Sequence, residues 1–280
     1  MYHGIMNVYK EPGYTSHDVV ARLRGILKQK KIGHTGTLDP AAEGVLPVCL
    51  GMGTRLCDML TDRTKTYEAV MLLGMTTDTQ DTTGEVLEDR HHAAMGLEEA
   101  AVTEAVLGYK GDYDQIPPMY SALKVDGKKL YELARAGKEV ERQARQVQIL
   151  EIRVDKVVLP RVWMTVTCSK GTYIRTLCHD IGGKLGCGGC MEHLTRTRVD
   201  RFDIKDSLRL DEIERIRDEG GLDTCILPVE TALEGYAGLK VLPEADAFLY
   251  NGNPCFKGQL DAGDGCLDGL EDGLRFRMYD

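Results

Sequence analysis

One carboxylate stands almost alone in a turn-rich stretch of this 280-residue chain. It is Asp39, in Gly33-His34-Thr35-Gly36-Thr37-Leu38-Asp39-Pro40, continued by Gly44-Val45-Leu46-Pro47. The glycines allow backbone conformations that other residues resist, and Pro40 fixes its own φ while restraining Asp39 toward an extended shape. A basic run, Arg22, Arg24, Lys28, Lys30 and Lys31, comes just before it. A carboxylate held this way beside arginine and lysine suits a reaction on an RNA base. The same letters also spell a capped turn, because Asp before Pro is common turn chemistry. Taken alone, the stretch leaves both readings open.

Three further segments decide between them. Gly4-Ile5-Met6-Asn7-Val8-Tyr9-Lys10 and Gly13-Tyr14-Thr15-Ser16-His17-Asp18 precede the Asp39 stretch. Lys65-Thr66-Tyr67-Glu68, Leu73-Gly74 and Thr77-Asp78-Thr79 follow it, and Ser169-Lys170-Gly171-Thr172-Tyr173-Ile174-Arg175-Thr176-Leu177 comes last. In this order the chain, from about residue 4 to 201, resembles the bacterial tRNA pseudouridine synthase B family, which isomerises a uridine in the T arm of tRNA. It departs from the family at Lys10-Glu11-Pro12-Gly13, where the proline is displaced by one, and at Gly53-Thr54-Arg55. Neither departure removes a group that does chemistry.

The resemblance implies a set of roles. Asp39 is the nucleophile, or assists formation of a glycal, and Arg175 pairs with it, favouring the charged carboxylate. Tyr67 takes the C5 proton, directly or through a relay. Tyr173 lies against the flipped base, Leu194 walls the pocket and His34 lies near the vacated stack. Lys10, Lys128 and Lys129 are expected to contact substrate. The target base must be flipped out, at an unstacking cost of a few kcal/mol. No cofactor or metal is implied, since no electrons or groups leave the site. A binding module that only grips or folds the same arm is the second reading, and intact Asp39, Tyr67 and Arg175 argue against it. A ribosomal substrate guided by partner proteins is the third, and the bacterial-looking motifs argue against that. The expected partner is therefore tRNA alone, bound by a monomer with no obligate protein partner.

Charge looks wrong for RNA until it is divided. The formal net charge is −9, yet residues 211–280 hold sixteen acidic and six basic residues, leaving twenty-nine basic and twenty-eight acidic in 1–210. The body is near neutral with local basic strips, and the acidity sits at the end. One strip runs from Lys124 to Arg145, with seven basic and four acidic residues and Leu130 and Tyr131 interleaved; Arg196, Arg198 and Arg201 form another. Such strips suffice for phosphate contacts. Nine scattered cysteines suit reduced thiols, and Cys187-Gly188-Gly189-Cys190, with no second pair at metal spacing, reads as small residues in a turn rather than zinc ligands. No signal peptide or membrane-length apolar run is legible, so the expected compartment is the cytoplasm, with no membrane partner.

These residues need elements to position them. Alternation and turn signals predict strands over 4–9, 67–73, 147–158 and 162–168, the last two joined by a turn at Pro160. Helices are predicted from Ser16, as N-cap, to about 28, over 54–60, 97–106, 129–136 and 172–185, and over 208–226. The resemblance implies a mixed α/β (α+β) pseudouridine synthase fold. Its catalytic domain, 1–230, has a central, largely antiparallel sheet and an RNA-gripping insertion at about 117–147. A small PUA-like module occupies 236–280, one glycine-rich strand shorter than the family's.

Overall fold

Residues 65–73 alternate so that Lys65, Tyr67, Ala69, Met71 and Leu73 are buried while Glu68 between them is exposed, as a half-covered strand requires. That strand lies at the centre of the sheet. The computed structural model describes residues 1–125, 127–261, 273, 274 and 276–279. Its contacts divide the chain into two units, Met1–Ile226 and Leu227–Asp280.

In the first unit the strands run β1 (Gly4–Lys10), β2 (Ile32–His34), β3 (Glu43–Leu50), β4 (Lys65–Leu73), β5 (Met75–Thr77), β6 (Val86–Asp89) and β7 (Gly111–Gln115). They continue as β8 (Lys124–Val125), β9 (Lys128–Lys129), β10 (Arg145–Val158), β11 (Arg161–Cys168), β12 (Gly189–Val199) and β13 (Phe202–Asp203). The main sheet has the order β1-β3-β12-β4-β11-β10-β7, with β2 on β3 and β13 on β12. Every pairing is antiparallel except β3 with β12. That one parallel contact, Thr195 with Glu43 and Arg196 with Gly44, joins the Asp39 end of the sheet to its centre.

Helices α1 (Ser16–Leu27), α2 (Cys57–Thr61), α3 (His91–Met95), α4 (Glu99–Leu107), α5 (Leu130–Arg135), α6 (Ile174–Lys184) and α7 (Leu210–Asp218) complete the unit. Two cores form. Val19, Val20, Leu23 and Ile26 of α1 pack with Leu210 and Ile213 of α7 against Met6, Val8, Leu46 and Val48. Val102 and Val106 of α4, with Leu177 and Ile181 of α6, pack against Met71, Val162, Met164 and Val166. Each fully buried aliphatic side chain contributes about 1.5–3 kcal/mol, so burial outweighs any single cap in docking α1.

The expected strands and helices are present with shifted ends, except that 54–60 divides between a 3₁₀ helix, Gly51–Leu56, and α2. Thr15, not Ser16, caps α1: its hydroxyl accepts from the Asp18 amide at 3.0 Å, and Asp18 accepts from the Thr15 amide at 2.8 Å. Ser16 instead uses its buried hydroxyl to accept from the Leu38 amide at 2.9 Å, bracing the Asp39 loop. The segment expected as one helix over 208–226 is α7 followed, after Gly220 and Gly221, by a short 3₁₀ turn, Leu222–Cys225. The insertion between β7 and β10 holds the β8–β9 hairpin and α5. Leu227–Asp280 carries a three-stranded sheet of Gly238–Val241, Leu260–Asp261 and Arg277–Tyr279. Residues 262–272 of the expected C-terminal module lie outside the described residues, as do Asp126, Arg275 and Asp280.

Gly44 makes the parallel contact possible. At φ +107°, a Cβ there would sit 2.3 Å from the Arg196 carbonyl oxygen, and backbone cannot yield as a flexible side-chain end can. Gly44→Ala should therefore cost about 3 kcal/mol or more, combining strain with overpacking. Gly137→Ala, at φ +66° with open space around it, should cost only about 1–2 kcal/mol. Equal midpoints for the two variants in thermal unfolding would contradict the tight β3–β12 register.

Candidate active site

The loop between β2 and β3 carries its carboxylate on a backbone held by hydrogen bonds at several points. The Thr35 amide donates to the Pro47 carbonyl at 3.1 Å, and the Ala42 amide to the Asp39 carbonyl at 3.1 Å. Pro40 accepts from the Gly13 amide at 2.8 Å. Beneath the loop, the Lys10 ammonium donates to the carbonyls of Ala42 (2.5 Å), Pro40 (3.2 Å) and Glu11 (3.2 Å). Arg196 donates to Val45 through Nε at 2.7 Å, and to Thr37 and Gly36 at 3.4 Å each. Leu38 and Ala42 are buried on either side of Asp39, so the loop is anchored at both shoulders.

Asp39 meets Arg175 from the first turn of α6. Arg175 Nε lies 3.0 Å from Asp39 Oδ2, and Nη2 donates to Oδ1 at 3.2 Å. A cation at a helix N-terminus opposes the helix dipole, so the guanidinium needs acceptors, and it has them. Nη1 donates to the Thr79 carbonyl at 3.1 Å, Nη2 donates to the Tyr120 carbonyl at 2.8 Å, and Asp81 lies 3.8 Å away. Asp81 is itself buried and accepts from the hydroxyls of Thr79 and Thr83 and from the Thr83 amide. Burial pushes the Asp39 carboxyl up from the usual carboxylate range. Arg175 pulls it back, Asp81 pushes it up again, and Lys10 favours the anion.

Tyr67 enters from β4, buried in the core that also holds Leu38 and Leu194. It stands opposite Arg196 of β12, and Ala69, two residues along, stands opposite Leu194. The Arg196 guanidinium lies against the Tyr67 hydroxyl. Tyr173 caps α6 with its backbone clamped by Gln115 of β7: its amide donates to Gln115 Oε1 at 2.7 Å, and Gln115 Nε2 donates to its carbonyl at 3.0 Å. His34, at the end of β2, accepts from the Gly36 amide on Nδ1 at 3.3 Å. Burial, with Arg196 and His17 nearby, pulls its imidazole down, so the ring is neutral near pH 7.

The expected residues thus fall into groups. Asp39 and Arg175 touch, while Tyr67, Leu194 and Leu38 share one core. Lys128 and Lys129 lie apart from that core, in the β8–β9 hairpin of the insertion, where Lys129 Nζ donates to the Tyr131 hydroxyl at 3.2 Å. Lys10, expected at the substrate, is fully buried with its ammonium on loop carbonyls, beneath the loop rather than on a surface that meets phosphate. Arg196, expected in a basic strip that contacts phosphate, is also fully buried. Strand alternation turns it inward next to half-exposed Thr195 and Thr197. Asp81 and Gln115 escaped the sequence reading. The signals available were an Asp followed by two threonines, Asp81-Thr82-Thr83, and a polar residue closing a strand before Ile116-Pro117-Pro118.

Comparison with known proteins identifies the family. Residues 24–174 match the model for "TruB family pseudouridylate synthase (N terminal domain)", and residues 175–234 match that for the "tRNA pseudouridylate synthase B C-terminal domain". The tRNA pseudouridine synthase B of Lachnoclostridium phytofermentans is 55% identical over 259 residues, covering 90% of this chain and 83% of that protein. Its counterpart in Clostridium acetobutylicum is 41% identical over 276 residues, covering 99% and 91%. Among solved structures, a Cbf5-Nop10-Gar1 complex contains a chain that aligns with TM-score 0.70 at 30% identity, covering 89% of this chain and 67% of that one. The mixed sheet and these matches define a pseudouridine synthase, an isomerase of uridine in RNA. The chain belongs to the TruB family of pseudouridylate synthases.

The Asp39–Arg175 pair makes a pH prediction. Removing the cation disfavours the anion, so the Asp39 carboxyl must rise further. In Arg175→Met the acid limb of the single-turnover rate should move to higher pH by about one unit or more, with Arg175→Lys between it and the wild type. An unmoved limb in a folded Arg175→Met protein would show that Asp39 does not depend on this partner.

Proposed function

We propose that this chain converts a uridine in the T loop of tRNA to pseudouridine, with Asp39 as nucleophile. The observation that carries the reading is the Asp39–Arg175 contact, which joins residues 136 apart in sequence and keeps a desolvated carboxylate beside a fixed cation. Relatives up to 55% identical over most of the chain bear the name tRNA pseudouridine synthase B, which supports a tRNA substrate. Among the described residues, no helix is long and apolar enough to cross a membrane. The enzyme acts as a cytoplasmic monomer with no obligate protein partner, and the 236–280 module is PUA-like.

The chemistry follows from the placement. The target uridine flips out, its base resting against Tyr173 and Leu194, and His34 lies where the base had stacked. Asp39 assists cleavage of N1–C1′ by attack on the sugar or by glycal formation. The uracil turns, and C5 bonds to C1′. The C5–H bond then breaks and its electron pair forms C5=C6. N1 recovers a proton, and the C5 proton passes to the Tyr67 oxygen and on to solvent. Atoms and charge balance without a cofactor or metal. Lys128 and Lys129 grip phosphate from the insertion.

Asp39→Asn keeps shape and removes the charge. Incubation with unmodified tRNA, followed by carbodiimide-dependent primer extension, should place pseudouridine in the T loop for the wild type. The variant should give none, while its tRNA affinity changes by less than about tenfold, or 1.4 kcal/mol. Turnover within a few-fold of wild type would remove Asp39 from the nucleophile role.

The lysines make a separate prediction. Lys128→Ala with Lys129→Ala should flatten the slope of log affinity against log salt, which counts neutralised phosphates. Lys10→Met should leave that slope alone and lower thermal stability, because the Glu11, Pro40 and Ala42 carbonyls lose its ammonium. A flattened slope in Lys10→Met with unchanged stability would place Lys10 at the RNA instead.

A further inference from the structure

Arg196 is among the largest completely buried side chains in the protein. Among the described residues, no carboxylate pairs with it. Its partners are the carbonyls of Gly36, Thr37 and Val45, all in or beside the Asp39 loop, and the hydroxyl of Tyr67, the residue opposite it across the β12–β4 ladder. Three of the five guanidinium N–H groups serve those carbonyls. A buried cation costs several kcal/mol of desolvation. The three loop carbonyls it satisfies offset part of that cost and give the arginine a structural task. The Tyr67 hydroxyl gives it a second partner, one that bears on chemistry.

We propose that Arg196 is a positioning residue for the reaction, holding the Asp39 loop and the Tyr67 oxygen in one frame and keeping a positive charge beside the oxygen that receives the C5 proton. The proposal rests on the proton-transfer role given to Tyr67 above. For that transfer the tyrosine must start as phenolate: the C5–H bond breaks, its pair closes C5=C6, and the phenolate becomes phenol and later returns the proton to solvent. Burial opposes the phenolate and pushes the Tyr67 hydroxyl above the ordinary tyrosine range, while the Arg196 charge is the main influence in the other direction. The guanidinium is thus placed to lower the cost of the one ionisation that the buried site resists.

The charged and titratable groups facing this pair are Asp39 in the loop, His34 at the end of β2, Lys10 on β1, Lys65 on β4 and Cys168 on β11. Burial pulls Lys65 down to about 8, below the range where a Tyr67 phenolate would be read. The Cys168 thiol is pushed up to about 11 and stays neutral below that. An alkaline limb belonging to Tyr67 must vanish in Tyr67→Phe, whereas a Lys65 limb would remain.

The test is a double-mutant cycle read in single-turnover rates on unmodified tRNA across pH, with Arg196→Gln, Tyr67→Phe and the double variant. Arg196→Gln should slow turnover by about 100-fold, a size typical of general-base effects, and raise the midpoint of the alkaline limb by about one pH unit. Its tRNA Kd should stay within about threefold, because the side chain is buried away from phosphate. In the Tyr67→Phe background the same substitution should cost at least about tenfold less, the mark of two groups acting as a unit. Arg196→Lys, which keeps the charge, should recover much of the rate and carries the same cycle if the glutamine variant does not fold. Equal costs in both backgrounds, or a limb that does not move, would overturn the role of Arg196 while leaving Tyr67 as proton acceptor. A Tyr67→Phe enzyme of normal rate would overturn both.

Discussion

A half-buried carboxylate held against a fixed guanidinium is the interaction on which the rest of this structure depends. Desolvation works against the charge on Asp39, and only fixed positive charge can restore it. Arg175 supplies most of that, at ion-pair distance, and Lys10 adds to it from below. Asp81 opposes them, yet its charge also helps seat the guanidinium that serves Asp39. The balance between three charges, rather than any one of them, sets how readily Asp39 ionises.

Holding that balance takes a stiff frame, because Coulomb energy and attack geometry both change over tenths of an ångström. The loop has no regular secondary structure, so its carbonyls need donors from elsewhere. Lys10 and Arg196 provide them from β1 and β12, two strands that flank β3 on either side. Ser16 holds the Leu38 amide from the start of α1. Gly44 lets β3 approach β12 closely enough for Arg196 to reach under the loop. Flexible ammonium and guanidinium stems thereby act as struts, satisfying buried carbonyls that water cannot reach.

Much of this was legible in the sequence. Alternation over 67–73 located the strand that carries Tyr67, which the structure places at the centre of the sheet with Tyr67 buried. The order of four motifs brought Asp39, Tyr67 and Arg175 into consideration although they lie on separate elements. The rest depended on partners that sequence does not display. Ser16 read as a cap because serine caps helices, but Thr15 with Asp18 completes a reciprocal box and frees Ser16 for the loop. Arg196 and Lys10 read as surface charge because lysine and arginine are rarely buried. Only the pairing of Arg196 with Tyr67 and Gly44 shows why one member of an arginine strip turns inward. Gln115 carried no signal beyond its place at a strand end.

The insertion is tied to the chemistry at its root, however far its hairpin reaches. Tyr120 gives its carbonyl to the same Arg175 nitrogen that donates to Asp39, and Gln115, the last residue before the insertion, clamps the backbone of Tyr173. Arg175 is therefore held in part by the segment proposed to grip RNA, and Tyr173 by the strand end that leads into it. A displacement at that root would remove an acceptor from a buried guanidinium, and the cheapest way for Arg175 to regain one is to shift its contact with Asp39. The ionisation of Asp39 and the seating of the insertion are thus not independent variables in this fold. They share one nitrogen.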